Sequence, residues 1–369
     1  MTVPPRPAQR RPARPRPSPL RPARGLRAAL LVVGGAALLS GCLPSSQKRI
    51  DRSVSAADSA SVALAAEAPV DTLAVAAEAR PSAPLDLPTS LGWYGDGLAV
   101  VETQGGAARL FSGEGAETGR LDLGGDFPYF AGARGDTVVV LARGADALRW
   151  VVPGEGVVRT VPAPPGATAA LVTDALVAVR TGGGAGEAAG RVEVLDGRGG
   201  LRATYPIAGP PWRAVGFLRE WGGRLVALSG YRPVVDVLDP AAPPGAPLDT
   251  LALAGFASPQ LARSAQFARG DVDEPPLLSS SAAALGDRLF VLNLRSDHVR
   301  VDVYGRAGRL ERVLVGPGRS EQIYPLDLAV RERGGAVQIA VLLARPPGLL
   351  QAPASRVVLY EWAPRPVPV

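Results

Sequence analysis

The stretch "GDRLFVLNLRSDHVRVDVYGRAGRLERVLVG", residues 286–316, reads as three short strands separated by turns. Gly286-Asp287 makes a turn. An aliphatic run follows, then the polar hairpin "RSDH", then "VRVDVYG", whose apolar and polar residues alternate with a period of two. A Gly-containing turn leads into a last run, "LERVLVG" (310–316). One such unit cannot bury both of its faces by itself, so its stability depends on neighbours of the same kind.

Neighbours of that kind are present. A small-residue turn followed by a β-branched or aliphatic run recurs as "GDGLAVVET" (95–103), "GDTVVVLAR" (135–143), "TDALVAVRT" (173–181), "GGRLVALSG" (222–230), "GDRLFVLNL" (286–294) and "GGAVQIAVLL" (334–343). Successive copies start 38 to 64 positions apart. Each is followed by a second run, and five are followed by a third. Repeats of this length with several strands each are the mark of a β-propeller, in which small twisted sheets pack around an axis. Runs before the turns, such as "LGWYG" and "LLSSSAAAL", are then the inner strands, with small residues at the crowded centre. The expected fold is all-β: a six-bladed β-propeller of four-stranded antiparallel blades over residues 70–364, with 365–369 as a tail. A two-sheet sandwich of similar strand content is the alternative.

The sixth repeat lacks its outer strand, because the chain ends in "EWAPRPVPV" and proline cannot sustain a ladder. An upstream segment, "VDTLAVAAE" (70–78), looks like the outer strand "LDTLALAG" (248–255) of the fourth repeat. Asp71–Ala76 is therefore expected to pair onto the last blade and close the ring. Within the fifth repeat, Val301, Val303, Tyr304 and Gly308 fill a "V-x-V-[YF]-x-x-x-G" pattern. In this the chain resembles the six-bladed NHL/TolB-like propellers of bacterial lipoproteins. The motif is loose and implies a fold, hardly an activity.

The start of the chain has a different character. Residues 1–27 are rich in Arg and Pro, and an apolar run of twelve residues, Ala28–Leu39, follows. That run is too short to span a bilayer and suits the centre of a secretory signal. It ends in Leu39-Ser40-Gly41-Cys42, and Cys42 is the single cysteine of the chain. This pattern resembles the lipobox of bacterial lipoproteins. The resemblance implies that Leu39, Ser40 and Gly41 are read by a signal peptidase and that Cys42 becomes the first mature residue, carrying covalent diacylglycerol and an acyl group such as palmitate. Two or more acyl chains hold a protein stably at a membrane. Leu43, where sorting rules would place Asp for inner-membrane retention, favours the outer membrane of a bacterial cell envelope. Residues 1–41 are thus a signal peptide, and 42–69, rich in Ala and Ser with no aromatic residue, a disordered tether. A helical turn or two around Ala56–Ala66 is the alternative.

Charge and composition exclude some functions. The formal net charge is +6, but eight Arg and no acidic residue lie in residues 1–41. Without that segment 32 basic residues face 34 acidic ones, which removes the case for a nucleic-acid partner. The single histidine, His298, falls in a hairpin turn beside Asp297 and is read as an exposed turn residue rather than part of a triad. Once Cys42 is acylated, no His/Cys metal site can be assembled. Asp271, Asp273 and Glu274 lack the spacing of a calcium loop, and the Gly-rich "TGGGAGEAAG" (181–190) lacks the Lys-Ser/Thr of a phosphate-binding loop. No metal and no cofactor beyond the lipid is expected.

Loop lengths point to a binding face. The irregular segments 181–190, 256–276 and 344–355 fall at the end of the propeller that carries the second-to-third-strand hairpins and the crossovers, with the Pro-rich 239–247 the exception on the other face. Long loops on a rigid scaffold are favoured positions for binding. Arg263, Gln266, Arg269 and Asp271 are the candidate ligand-binding residues there. The sequence reading is a membrane-anchored monomer that binds an envelope protein or a carbohydrate without catalysis. A propeller-type lyase or lactone/ester hydrolase is the alternative; Asp, Glu and Arg converging on the central channel would favour it.

Overall fold

A computed structural model of the chain describes residues 56–182, 190–239, 243, 249–318, 324–345 and 354–364. The segment expected to be a signal peptide, with Leu39, Ser40 and Gly41, and the expected lipidation residue Cys42 lie outside the described residues, as do residues 43–55 and the expected tail 365–369.

The described chain is all-β in a propeller-like arrangement. Five antiparallel meanders of four strands follow one another. The first is β3–β6 (Pro88–Tyr94, Gly97–Glu102, Ala107–Phe111, Glu117–Asp122), and the second is β7–β10 (Pro128–Arg134, Thr137–Ala142, Ala147–Val152, Gly156–Pro162). The third is β11–β14 (Ala167–Val172, Val177–Gly182, Gly190–Leu195, Leu201–Ile207), and the fourth is β15–β18 (Phe217–Trp221, Arg224–Leu228, Val234–Leu238, Asp249–Ala252). The fifth is β19–β22 (Ser279–Leu285, Arg288–Asn293, Arg300–Tyr304, Leu310–Val315). The sixth group has three strands in sequence, β23–β25 (Tyr324–Arg333, Ala336–Arg345, Ala354–Trp362), and takes its fourth, β2 (Ala74–Glu78), from the N-terminal side.

Counted by hydrogen bonds these are five sheets, not six equal ones. One parallel bridge, Val172 to Gly132, joins the second and third groups into eight strands. The extra strand β1 (Val70–Thr72) adds in parallel to β22 and gives the fifth group five strands. The first strands of all the groups nevertheless pack side by side in a closed circuit, β23 returning to β3.

Burial follows from that circuit. Six clusters of buried apolar side chains each lie between two neighbouring groups. Middle strands are covered on both faces and so read as unbroken apolar runs; β8, "TVVVLA", is buried from Val138 to Ala142. Outer strands are covered on one side and alternate, as in "ETGRLD" of β6. One position breaks the apolar rule: the centre of several third strands carries a charge sealed by its opposite. Arg109 donates to Glu117 at 2.7 Å, and Asp302 accepts from Arg300 at 2.7 Å and Asn293 at 3.0 Å.

The expected closing strand is present but divided. Ala74–Glu78 pairs antiparallel with β25 of the last group, while Asp71 and Thr72 pair with Leu314 and Val315 of the fifth. The expectation that all of Asp71–Ala76 joins the last group is therefore corrected. The reason lies at Leu73, which is 1% exposed among side chains of both groups, including Phe290, Leu314, Ile339 and Trp362. Asp71 ties the same two groups, accepting from Arg312 Nη1 and Trp362 Nε1, each at 3.0 Å. Beyond β2, Arg80 donates to the carbonyl of Gly115 in the first group at 2.8 Å. The chain comes so close there that a Cβ on Gly115 would stand 2.8 Å from the Glu78 oxygen. Gly308 has the same role where the fourth group meets the fifth: its φ is +71°, and a Cβ would lie 2.6 Å from the Ala252 oxygen.

In the second half of the segment read as a tether, the helical alternative is what the chain adopts. Residues 56–67 form helix α1 (Ala56–Glu67), docked on the fourth and fifth groups. Ser61 Oγ accepts from the amides of Gly255 and Phe256 at 3.0 and 2.8 Å, Asp58 pairs with Arg232 at 3.3 Å, and Ala65 is buried. Polar contacts, not an apolar stripe, order a segment too poor in large side chains to bury much surface.

Candidate functional site

The second halves of the inner strands enclose a cavity of about 660 Å³. Each of the six groups contributes to its wall, through Gly92, Tyr129, Leu171, Arg219, Ala283 and Asp327 among others. The small residues expected at the axis are there, from "LGWYG" and from "LLSSSAAAL". Gly222, Gly223, Gly286 and Asp287 at its mouth belong to turns between first and second strands, and Arg306 to a turn between third and fourth. The cavity thus opens at the end of the barrel of strands opposite the crossovers.

Asp327 is its charged centre. It sits in β23, within "YPLDLAV", and is 2% exposed. Its carboxylate accepts from the amides of Leu91 at 2.8 Å and Leu328 at 2.9 Å and from the Ser281 hydroxyl. Arg219 Nη2 lies 3.9 Å away and donates through its other nitrogens to the carbonyls of Leu218 (2.7 Å) and Ala282. Four groups, the first, fourth, fifth and sixth, therefore meet at one carboxylate. Burial pushes the Asp327 pKa up, opposed by Arg219 and the three donors. Beside it the Tyr129 phenol is pushed up to about 12, chiefly by burial and further by Asp327. Arg143 stacks over the Tyr129 ring at 4.4 Å and donates to Thr168 O at 2.6 Å.

The mouth is bordered by a closed ion pair, Arg306 to Asp287 at 2.7 Å, and by Glu220. Aromatic faces of Trp93 and Phe130 line the wall. A smaller cavity of about 360 Å³ adjoins it, sharing Trp93 and Ala133 and bordered by Tyr94, Asp96, Arg331 and Arg333. Chemically the channel offers hydrogen-bond donors and flat apolar surfaces. Its carboxylate accepts three hydrogen bonds from within the protein.

The residues expected from the sequence lie elsewhere. Arg263, Gln266 and Arg269 are on helix α2 (Leu261–Arg269), which packs through Leu261, Ala262, Ser264 and Ala265. Arg269 pairs with Asp271 at 2.9 Å and Arg263 with Glu274 at 3.6 Å. Asp271 donates its amide to the Gln266 carbonyl. The structure thus brings these four together at the crossover end, and none borders the channel. His298 lies on the hairpin after β20, its Nδ1 3.0 Å from Asp297, and is partly covered rather than exposed. Among the described residues no three His, Cys, Asp or Glu are grouped to hold a metal ion. No described helix is long and apolar enough to cross a membrane.

Sequence reasoning missed Asp327, Arg219 and Tyr129 because they stand in three separate repeats. Charge inside an otherwise apolar first strand, Asp327 in "PLDLAV" and Arg219 with Glu220 in "GFLREW", was the available signal.

No family model matches this chain, and no curated protein matches it. Solved structures resemble it at low identity. Regucalcin, a calcium-binding protein of Agrobacterium tumefaciens, is 10% identical over 81% of this chain and 97% of its own, with a TM-score of 0.48. An exported protein of Bacteroides fragilis is 8% identical over 79% and 94%, with a TM-score of 0.45. The glutaminyl cyclase of Myxococcus xanthus is 16% identical over 61% and 92%, with a TM-score of 0.39.

Proposed function

We propose that this chain is a bacterial envelope lipoprotein, anchored through diacylglycerol and acyl groups on Cys42 and favouring the outer membrane. Its six groups of strands act as the blades of one closed propeller that binds a carbohydrate in its axial channel without catalysis. The observation that carries the binding reading is the cavity of about 660 Å³ walled by all six groups. That volume is in the range of small-molecule sites. Aromatic rings at Trp93, Tyr129 and Phe130 offer flat faces to sugar rings, and donors at Tyr129 and Arg219 suit hydroxyl and ring oxygens. A protein partner would need a broad surface instead, and the crossover end with Arg263, Gln266, Arg269 and Asp271 is where it would dock.

Convergence of Asp327, Arg219 and Tyr129 on the axis is what an enzyme would also use. The binding reading is preferred because Asp327 is engaged by three donors and Tyr129 is held protonated far above neutral pH. Tyr129 is thus not poised near the working pH, as general acid–base catalysis requires.

The anchor and the channel are tested together. Full-length protein expressed in a Gram-negative host should yield an N-terminal peptide bearing a diacylglyceryl and an acyl group on Cys42. Cys42→Ser should move the protein to the soluble fraction. The detergent-solubilised protein should retain oligosaccharides on a glycan array, and Ala133→Trp, which fills the channel, should release them. An unmodified Cys42 peptide would refute the anchor; glycan retention undisturbed by Ala133→Trp would refute the channel.

A further inference from the structure

The smaller cavity at the channel rim has a charge arrangement that the channel itself does not explain. Arg331, half-buried near the end of β23, stacks over the Trp93 ring at 3.8 Å. Its Nε donates to Gln338 Oε1 at 2.8 Å, and its Nη1 lies 3.5 Å from the Gly95 carbonyl. Among the described residues no carboxylate lies within ion-pair distance of Arg331. Its Nη2 and the neighbouring Trp93 Nε1 are both buried donors without an acceptor in the protein. Such donors are costly to leave unpaired.

A second guanidinium stands beside the first. A Cβ added at Gly113 would meet the nitrogens of both Arg331 and Arg333, so the two cations sit side by side over that glycine. Arg333 has a partner, Glu114 at 2.9 Å, but that carboxylate is 70% exposed. Burial first, and then the like charge of Arg333, lower the pKa of Arg331, against the opposing pull of Asp96 and Glu114. Two adjacent cations, of which only Arg333 has a carboxylate partner, favour an oxyanion, which would offset the repulsion.

We infer that the ligand is an acidic carbohydrate, whose sugar ring lies in the channel against Trp93 while its carboxylate or sulfate is held at the rim by Arg331 and Arg333. This rests on the carbohydrate-binding reading above. Continuity of the two cavities through Trp93 and Ala133 allows one molecule to span both. Asp96 and Glu332 share the rim, which makes it a poor sink for free anions and favours an oxyanion delivered on a ring already seated in the channel.

The test uses the full chain in detergent on an array of uronate-containing, sulfated and matched neutral oligosaccharides. Binding to the best acidic glycan is then titrated by tryptophan fluorescence. Acidic glycans should bind about ten- to hundred-fold more tightly than their neutral counterparts, the range expected for a charge-assisted contact. Arg331→Gln should abolish that preference, and Arg331→Lys should restore part of it. If Arg331→Gln lowers the melting temperature, Arg333→Gln serves as the second variant. The uronate and sulfate arms tell which oxyanion is taken. Equal binding of acidic and neutral glycans, or an acidic preference that survives both variants, overturns this inference and leaves the channel reading standing. Retention of no glycan overturns both.

Discussion

Leu73→Ala tests whether the N-terminal segment closes the ring. Leu73 is 1% exposed, donates its amide to Val315 O at 2.9 Å, and packs between the fifth and sixth groups. Truncating a fully buried leucine costs about 2–5 kcal/mol, through lost transfer energy and the cavity left behind. At about 2.1 cal/mol/K per residue, a folded unit of roughly 280 residues has an unfolding entropy near 0.6 kcal/mol/K, so Tm should fall by about 3–8 °C. Leu201→Ala is the control: Leu201 is 60% exposed on the outer strand β14, and its loss should shift Tm by about 1 °C or less. Differential scanning calorimetry reads both. Trp362 adds a local signal, because its indole donates to Asp71, two residues from the substitution. Equal Tm values for the two variants would refute the reasoning, since they would mean that the closing segment bears none of the fold's stability.

Other consequences follow from single residues. Gly308→Ala forces a side chain into a φ of +71° and against the Ala252 carbonyl, and should cost about 1–3 kcal/mol in denaturant unfolding; an unchanged midpoint would mean that the contact between groups is looser than described. Glu117 is held at about 2, below its ordinary 4.5, first by the hydrogen bond from Arg109. Its contribution to stability is therefore complete above pH 4.5 and is lost as pH falls toward 2. Glu117→Gln should flatten the acid limb of the stability profile in that window, and an equally steep limb would count against the assignment. Tyr129 ionises at about 12, so Tyr129→Phe should remove absorbance at 295 nm from the end of an alkaline titration; a loss near pH 10 instead, estimated from the unperturbed phenol, would place the ring in water.

The repeats were legible because coverage on both faces turns middle strands into apolar runs, and the turns between them need Gly and Asp. The closing strand was legible for a related reason: "VDTLAVAAE" carries the alternation of an outer strand without a hairpin partner of its own. Its division at Leu73 was not, since a period-two pattern says which side chains face inward but not which of two neighbouring edges a strand joins. Helix α1 was legible only as the alternative to a tether, because Ser61, Asp58 and Ala65 dock it through small and polar contacts that resemble a linker in composition. The channel escaped for a topological reason. Asp327, Arg219 and Tyr129 become neighbours only when three repeats meet at an axis, and no local pattern records that meeting.

The same closure sets an order of assembly. Ala74 and Glu361 are cross-strand partners at nearly opposite ends of the described chain. Contacts of such long sequence separation form late and slowly. During synthesis β2 must wait until Ala354–Trp362 has emerged, with its own edge and that of β24 open to other chains meanwhile. A nascent chain stalled short of residue 354 is therefore an open arc with two unpaired rims, and truncated products of this protein should aggregate where the complete one does not.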